Sequence, residues 1–248
     1  MQESRFIRIF ADRDEGVENK MINRQVFLRT VSVYIVGYFV LLATILGMMY
    51  AYPKPELHML VNSLHTGFLD TFFKYLSVLA EWPLYVLALL PLLWKKYKFP
   101  LFFAVCELSG GTTLQILKHI ISHDRPVSVF ENYPDLELPL VPGVDMYHGN
   151  SFPSGHASTF FMFCTCCVIL MAIHCIREGK LRDLKTKIWF NATLLLLLIF
   201  AALGAYSRVY ISQHFLSDVC VGSIIGFTTP FLMLYLFRDR MRRIKTKK

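Results

Sequence analysis

Residues 153–176 read P-S-G-H-A-S-T-F-F-M-F-C-T-C-C-V-I-L-M-A-I-H-C-I. The first residues are small and cap-forming, and the apolar run behind them approaches the roughly 20 residues that a helix needs to cross a bilayer. Comparable runs lie at about 30–50, 76–94, 99–117, 187–206 and 219–237. The reading is all-α: a six-transmembrane-helix bundle spanning 30–237, between a leader at 1–29 and a basic tail at 238–248. Composition agrees, because 54% of the 248 residues are hydrophobic and 18% charged, whereas soluble domains carry about 25% charged residues. That balance rules out a disordered chain and argues against an ordinary soluble enzyme. The first run follows a long polar leader and is too long for a cleaved signal, so it reads as an anchor. The six cysteines lie within apolar stretches and read as small packing residues, not as a disulfide framework or a zinc ribbon.

The formal charge is +8, which raises the question of nucleic acid. The basic residues are instead sorted by segment. They crowd into 1–29, 95–98, 177–187 and 238–248, and the intervening segments hold only Lys54, Lys74, Lys118, Arg125 and Arg208. By the positive-inside rule both termini are cytoplasmic and the odd-numbered loops face outward. The partners implied are the bilayer and its anionic lipids, with no nucleic acid. In the first outward loop, Leu57, Leu60, Val61, Leu64, Phe68, Leu69 and Phe72 recur at helical spacing. Two readings stay open there: an interfacial amphipathic helix, or an extension of the second span packed on its neighbours.

Three clusters fall on the outward side. Lys118 and Arg125 are seven residues apart before Pro126. If the third span continues past Lys118, this is about two turns, and both cations share a face suited to a phosphate. Ser154, Gly155 and His156 open the fourth span, where unpaired backbone N–H groups and the helix dipole make an anion site. In the third cluster, Ser207 and Arg208 precede His214 and Asp218, which are four apart. A carboxylate at that spacing can fix the imidazole tautomer and leave the other nitrogen free to attack. Singly, each has a bland reading: cations snorkelling to headgroups, a plain N-cap, a surface ion pair. Their coincidence on one membrane face, inferred without using them, favours a phosphoryl-transfer site with no need for a metal.

The patterns K-x6-R-P at 118–126, P-S-G-H at 153–156 and S-R-x5-H-x3-D at 207–218 resemble the type 2 phosphatidic acid phosphatases, the integral-membrane branch of the PAP2 superfamily. The likeness covers about 76–237. It implies that His214 attacks phosphorus to form a phosphohistidine, that Asp218 orients it, and that His156 protonates the leaving group and then activates water. Lys118, Arg125, Ser154, Gly155, Ser207 and Arg208 would bind the phosphate, with no cofactor.

The implied substrate is a phosphorylated membrane lipid: a polyprenyl pyrophosphate, phosphatidic acid or phosphatidylglycerol phosphate, or a lipid A phosphate. Length and simplicity suggest a bacterial cytoplasmic membrane, with the site on the extracytoplasmic side. A phosphotransferase using the same intermediate and a non-enzymatic transporter or scaffold are the competing readings. His119 and His123 lack a third ligand and are not expected to hold zinc. Glu107, inside the third span, is expected to pack against a polar partner, and the Asn191-Ala192-Thr193 sequon lies within a span and should not be modified.

Overall fold

The computed structural model describes residues 23–245 and contains only helices, turns and loops among them. The helices are α1 (Arg24–Thr30), α2 (Ser32–Ala51), α3 (Lys54–Val61), α4 (Gly67–Val78), α5 (Pro83–Leu89), α6 (Lys98–Ile120), α7 (Pro126–Phe130), α8 (Gly155–Arg177), α9 (Leu184–Tyr210) and α10 (Leu216–Lys245). Most of the leader, including Arg5, Arg8, Arg13 and Lys20, and the end of the basic tail lie outside the described residues.

Five helices are long and apolar enough to cross a membrane: α2, α6, α8, α9 and the Leu216–Leu236 part of α10. The sixth candidate crossing, read over 76–94, is not one straight helix but a bent pair, α4 followed by α5 and a 3-10 extension to Trp94, with 50° between the two parts. Pro83, at the first position of α5, cannot continue a helix from the preceding residues. Of the two readings for the first outward loop, the extension describes α4. Its buried Phe73 and Leu76 join Leu84, Phe160 and Tyr210 in one apolar cluster.

At the centre, α8 is buried along most of its length and packs against α10, α9 and α6. Two glycines one turn apart permit the closest of these approaches. A Cβ at Gly222 would collide with the Ser154 carbonyl, and one at Gly226 with the Ser158 carbonyl. This small-x-x-x-small spacing lets membrane helices approach backbone to backbone. The start of α10 is thereby drawn onto the start of α8. The first span docks on the outside of this core, where Tyr34 hydrogen-bonds Thr165 (3.0 Å), Tyr38 approaches Ser223 (3.3 Å), and the Tyr38 and Phe227 rings stack at 3.8 Å. All six cysteines are free thiols, four of them buried in the core.

Gly226→Leu is expected to lower thermal stability in detergent, since overpacking a tight contact costs about 1–3 kcal/mol. Gly47→Leu, where added atoms meet nothing within 4 Å, should leave the melting temperature nearly unchanged. Equal shifts for the two variants would contradict this account of the α8–α10 contact.

Candidate active site

Helix direction brings the ends of α6 and α9 and the starts of α8 and α10 to one side of the bundle. There Asp218, in the first turn of α10, is fully buried. An ionised carboxylate out of water needs donors, and three segments supply them. The Ser151 hydroxyl donates to Oδ2 (2.5 Å), the Phe215 N–H donates to the same oxygen (3.0 Å), and the Ser217 hydroxyl donates to Oδ1 (3.2 Å). The Asp218 carbonyl in turn accepts from the Ser154 N–H (3.0 Å).

The expected His214–Asp218 pair is present with one residue interposed. His214 Nδ1 lies 3.7 Å from Asp218 Oδ2 but 3.1 Å from Ser151 Oγ. With the Ser151 proton directed to Asp218, its oxygen accepts from Nδ1–H. The tautomer is thereby fixed and Nε2 keeps its lone pair. Nothing in the sequence marks Ser151 beyond its place two residues before Pro153.

His214 sits in a tight turn after α9. The Gln213 and His214 N–H groups both donate to the Arg208 carbonyl (3.0 and 3.1 Å), and Ser212 takes a left-handed φ of 54°. A non-glycine residue there is strained and persists only if its surroundings hold it. The Ser212 hydroxyl is held by the Pro139 carbonyl (2.7 Å), by Asn62 Nδ2 (3.1 Å) and by His58 Nε2 (3.2 Å). Burial, partly opposed by Asp218, lowers the His214 pKa from 6.5 to about 4. Burial also lowers that of His58 to about 4.

The cations converge by a route that the sequence does not suggest. Helix α6 ends at Ile120 and the chain turns into an extended segment, so Lys118 and Arg125 do not share a helical face. Instead Asn150 pins the corner, donating to the Lys118 and Ile121 carbonyls (both 2.7 Å) and accepting from the His123 N–H (3.1 Å). Arg125 donates to the Gln213 carbonyl (2.8 Å), to Gln213 Oε1 (3.1 Å) and to the Gly149 carbonyl (3.1 Å). It thus ties the 121–154 loop to the His214 turn. Half-buried Lys118 lies within electrostatic reach of both Arg125 and Asp218.

Arg208 is buried, and its Nη1 donates to Ser77 on α4 (2.6 Å). Ser154 caps α8, its Oγ accepting from the Ala157 N–H at 3.5 Å. A side chain at Gly155 would meet nothing within 4 Å, so its backbone borders open space. His156 interacts electrostatically with Arg208, His214, Arg125 and Lys118. Its Nε2 lies 3.6 Å from Glu81. The hydroxyl of Ser207, which precedes Arg208 in α9, donates to the Gly204 carbonyl one turn back (2.6 Å), a local helix contact.

Three polar atoms of this cluster, Arg208 Nε, His156 Nε2 and His123 Nδ1, are buried without a hydrogen-bond partner. Such orphans are rare in folded proteins and call for an explanation. His119 and His123 are not on one helical face, because α6 ends between them. Among the described residues no group of three or more His, Cys, Asp or Glu side chains is placed to hold a metal ion. Glu107 has the expected polar partner: Tyr85 donates to its Oε2 (3.3 Å) and also contacts Thr159 (3.2 Å).

Residues 99–242, more than half of the chain, match the PAP2 superfamily. The chain belongs to that superfamily. Two solved structures share the architecture. LpxE of Aquifex aeolicus superposes with a TM-score of 0.54 at 24% identity, covering 73% of this chain and 93% of that one. The first transmembrane PAP2 type phosphatidylglycerolphosphate phosphatase from Bacillus subtilis gives 0.56 at 20% identity, covering 86% and 97%. With its apolar spans, this PAP2 chain is an integral membrane protein.

The depressed histidines make PAP2 stability depend on pH with a definite sign. Between pH 6.5 and about 4 the unfolded chain binds protons that His214 and His58 refuse when folded. Their contribution is therefore complete above pH 6.5 and is lost as the pH falls toward 4. Melting temperatures in detergent should drop across that window, and His58→Gln should flatten the drop. A profile identical in the variant would contradict the assignment to His58.

Proposed function

We propose that this protein is a membrane lipid phosphatase that hydrolyses a phosphate monoester or diphosphate headgroup through a phosphohistidine on His214. The observation that carries the reading is the clustering of orphaned donors and acceptors, Arg208 Nε and His156 Nε2, with Lys118 and Arg125 around a histidine whose Nδ1 is already engaged. A tetrahedral phosphate supplies what this cluster lacks: acceptor oxygens for the cations and a leaving oxygen for His156.

The steps follow from the positions. Lys118, Arg125 and Arg208, with the amide at Gly155 and the capped start of α8, hold the phosphoryl oxygens and offset charge developing on them. The Nε2 lone pair of His214 attacks phosphorus. The P–O bond to the lipid breaks, and its electron pair stays on oxygen, which takes a proton from His156. Nδ1 keeps its proton, and the positive charge on the phosphorylated imidazole is offset by Asp218 through the Ser151 hydrogen bond. Neutral His156 then takes a proton from water as that water attacks phosphorus, the N–P bond breaks, and phosphate leaves with His214 restored. No metal takes part in these steps.

Helix direction places the basic 95–98 and 177–187 segments at the opposite side of the bundle from His214. By the positive-inside rule this supports an extracytoplasmic site and cytoplasmic termini. The substrate is an amphiphile with its tail among the helices and its phosphate in the cation cluster, of the polyprenyl pyrophosphate, glycerophospholipid phosphate or lipid A phosphate type.

A panel of these lipids in detergent micelles tests the reading. At least one should release inorganic phosphate with chelator present, and His214→Ala should abolish release and an acid-labile, alkali-stable phosphoprotein. Turnover retained by His214→Ala would refute it. Ser151→Ala should lower kcat by up to about 100-fold with little change in KM, as expected for a misoriented nucleophile. An unchanged kcat would remove Ser151 from the relay.

A further inference from the structure

The elbow between α4 and α5 supplies a residue outside all three motifs. Glu81 is half exposed, and its Oε1 lies 3.6 Å from His156 Nε2. Its position is fixed from both sides at four-residue spacing. Ser77 accepts from Arg208 Nη1 (2.6 Å), and Tyr85 contacts Thr159, one turn below His156 on α8, at 3.2 Å. Glu81 stands between these two anchors, with its own N–H donating to the Val78 carbonyl (3.0 Å).

The chemistry gives this carboxylate a task. To expel an alkoxide, His156 has to carry a proton, yet it is largely buried, and the groups facing it from α9, the nucleophile turn, the 121–154 loop and α6 are Arg208, His214, Arg125 and Lys118. Each disfavours another positive charge. A bound phosphate offsets them in part, but its charge is shared among the same cations. Glu81 Oε1 lies 3.6 Å from His156 Nε2, and Glu81 also interacts electrostatically with Arg208. At 3.6 Å it is close enough to favour an imidazolium, without a hydrogen bond that would divert the Nε2 proton from the substrate.

We infer that Glu81 is a positioning residue that holds His156 in its protonated form for departure of an alkoxide leaving group. The inference rests on the phosphatase reading above. Glu81 exchanges no proton: the Nε2 proton goes to the leaving oxygen as the P–O bond breaks, and the carboxylate balances the imidazolium only until that moment.

Leaving-group dependence separates this role from a structural one. The probes are a long-chain alkyl phosphate and a nitrophenyl phosphate bearing the same chain, in one detergent. An alkoxide needs the proton, whereas a nitrophenolate departs without it. Glu81→Gln should lower kcat on the alkyl ester roughly tenfold with KM within about twofold, and should change the nitrophenyl ester by less than about threefold. Glu81→Asp should restore part of the alkyl activity. Equal losses on both esters, or no loss on either, would overturn the assignment while wild-type turnover dependent on His214 leaves the phosphatase reading intact. Absence of wild-type turnover on any phosphate ester would remove both.

Discussion

The buried carboxylate of Asp218 is the constraint from which the rest of the site follows. An ionised group fully removed from water costs several kcal/mol unless donors surround it, and here the donors come from three separate pieces of chain. Ser151 belongs to the loop before α8, Phe215 to the turn that carries His214, and Ser217 to the start of α10 itself. Satisfying one carboxylate therefore assembles the loop, the turn and the helix. The same Ser151 that quiets the charge orients the imidazole, so removing water and fixing the tautomer are one structural event.

That assembly is possible only because α8 and α10 touch backbone to backbone. Gly222 faces the Ser154 carbonyl and Gly226 the Ser158 carbonyl, so the capped start of α8 is held against the turn that carries His214. The dry environment has a second effect. It keeps His214 neutral at ordinary pH, whereas the permanently charged guanidinium groups of Arg125 and Arg208 persist. A neutral imidazole among fixed cations is the division of charge that the proposed attack on an anionic phosphate requires.

The motif residues were legible in the sequence because each sits at the end of an apolar run, where hydropathy alone assigns them to one end of the spans. Lys118, Arg125, Ser154, Gly155, His156, Arg208, His214 and Asp218 indeed gather at one end of the bundle. How they do so was not legible. The helical register proposed for Lys118 and Arg125 assumed that α6 runs on; Asn150, some thirty residues later, instead takes up the freed carbonyls of Lys118 and Ile121. Ser207 lies in the signature, but its hydroxyl serves its own helix. Ser151, Ser77 and Glu81 are single polar residues without a period of their own, and their significance lies in partners 67, 131 and 75 positions away. The break in the second span escaped a reading based on hydropathy, which averages over a bend; Pro83 was its one local sign.

That break has a physical logic. Inside a bilayer an interrupted helix survives only where its backbone groups find partners and protein surrounds it. The elbow meets the first condition itself: the N–H groups of Leu79, Ala80, Glu81 and Leu84 donate to the carbonyls of Leu76, Ser77, Val78 and Leu79. Buried Ala80 and Leu84 meet the second. On a straight helix Ser77, Glu81 and Tyr85 would form one stripe addressing one neighbour. The 50° bend lets α4 lie on α9 while α5 lies on α6 and α8, so the stripe turns a corner around Arg208 and His156. Ser77 then reaches Arg208, Tyr85 reaches Thr159, and Glu81 between them is left facing His156.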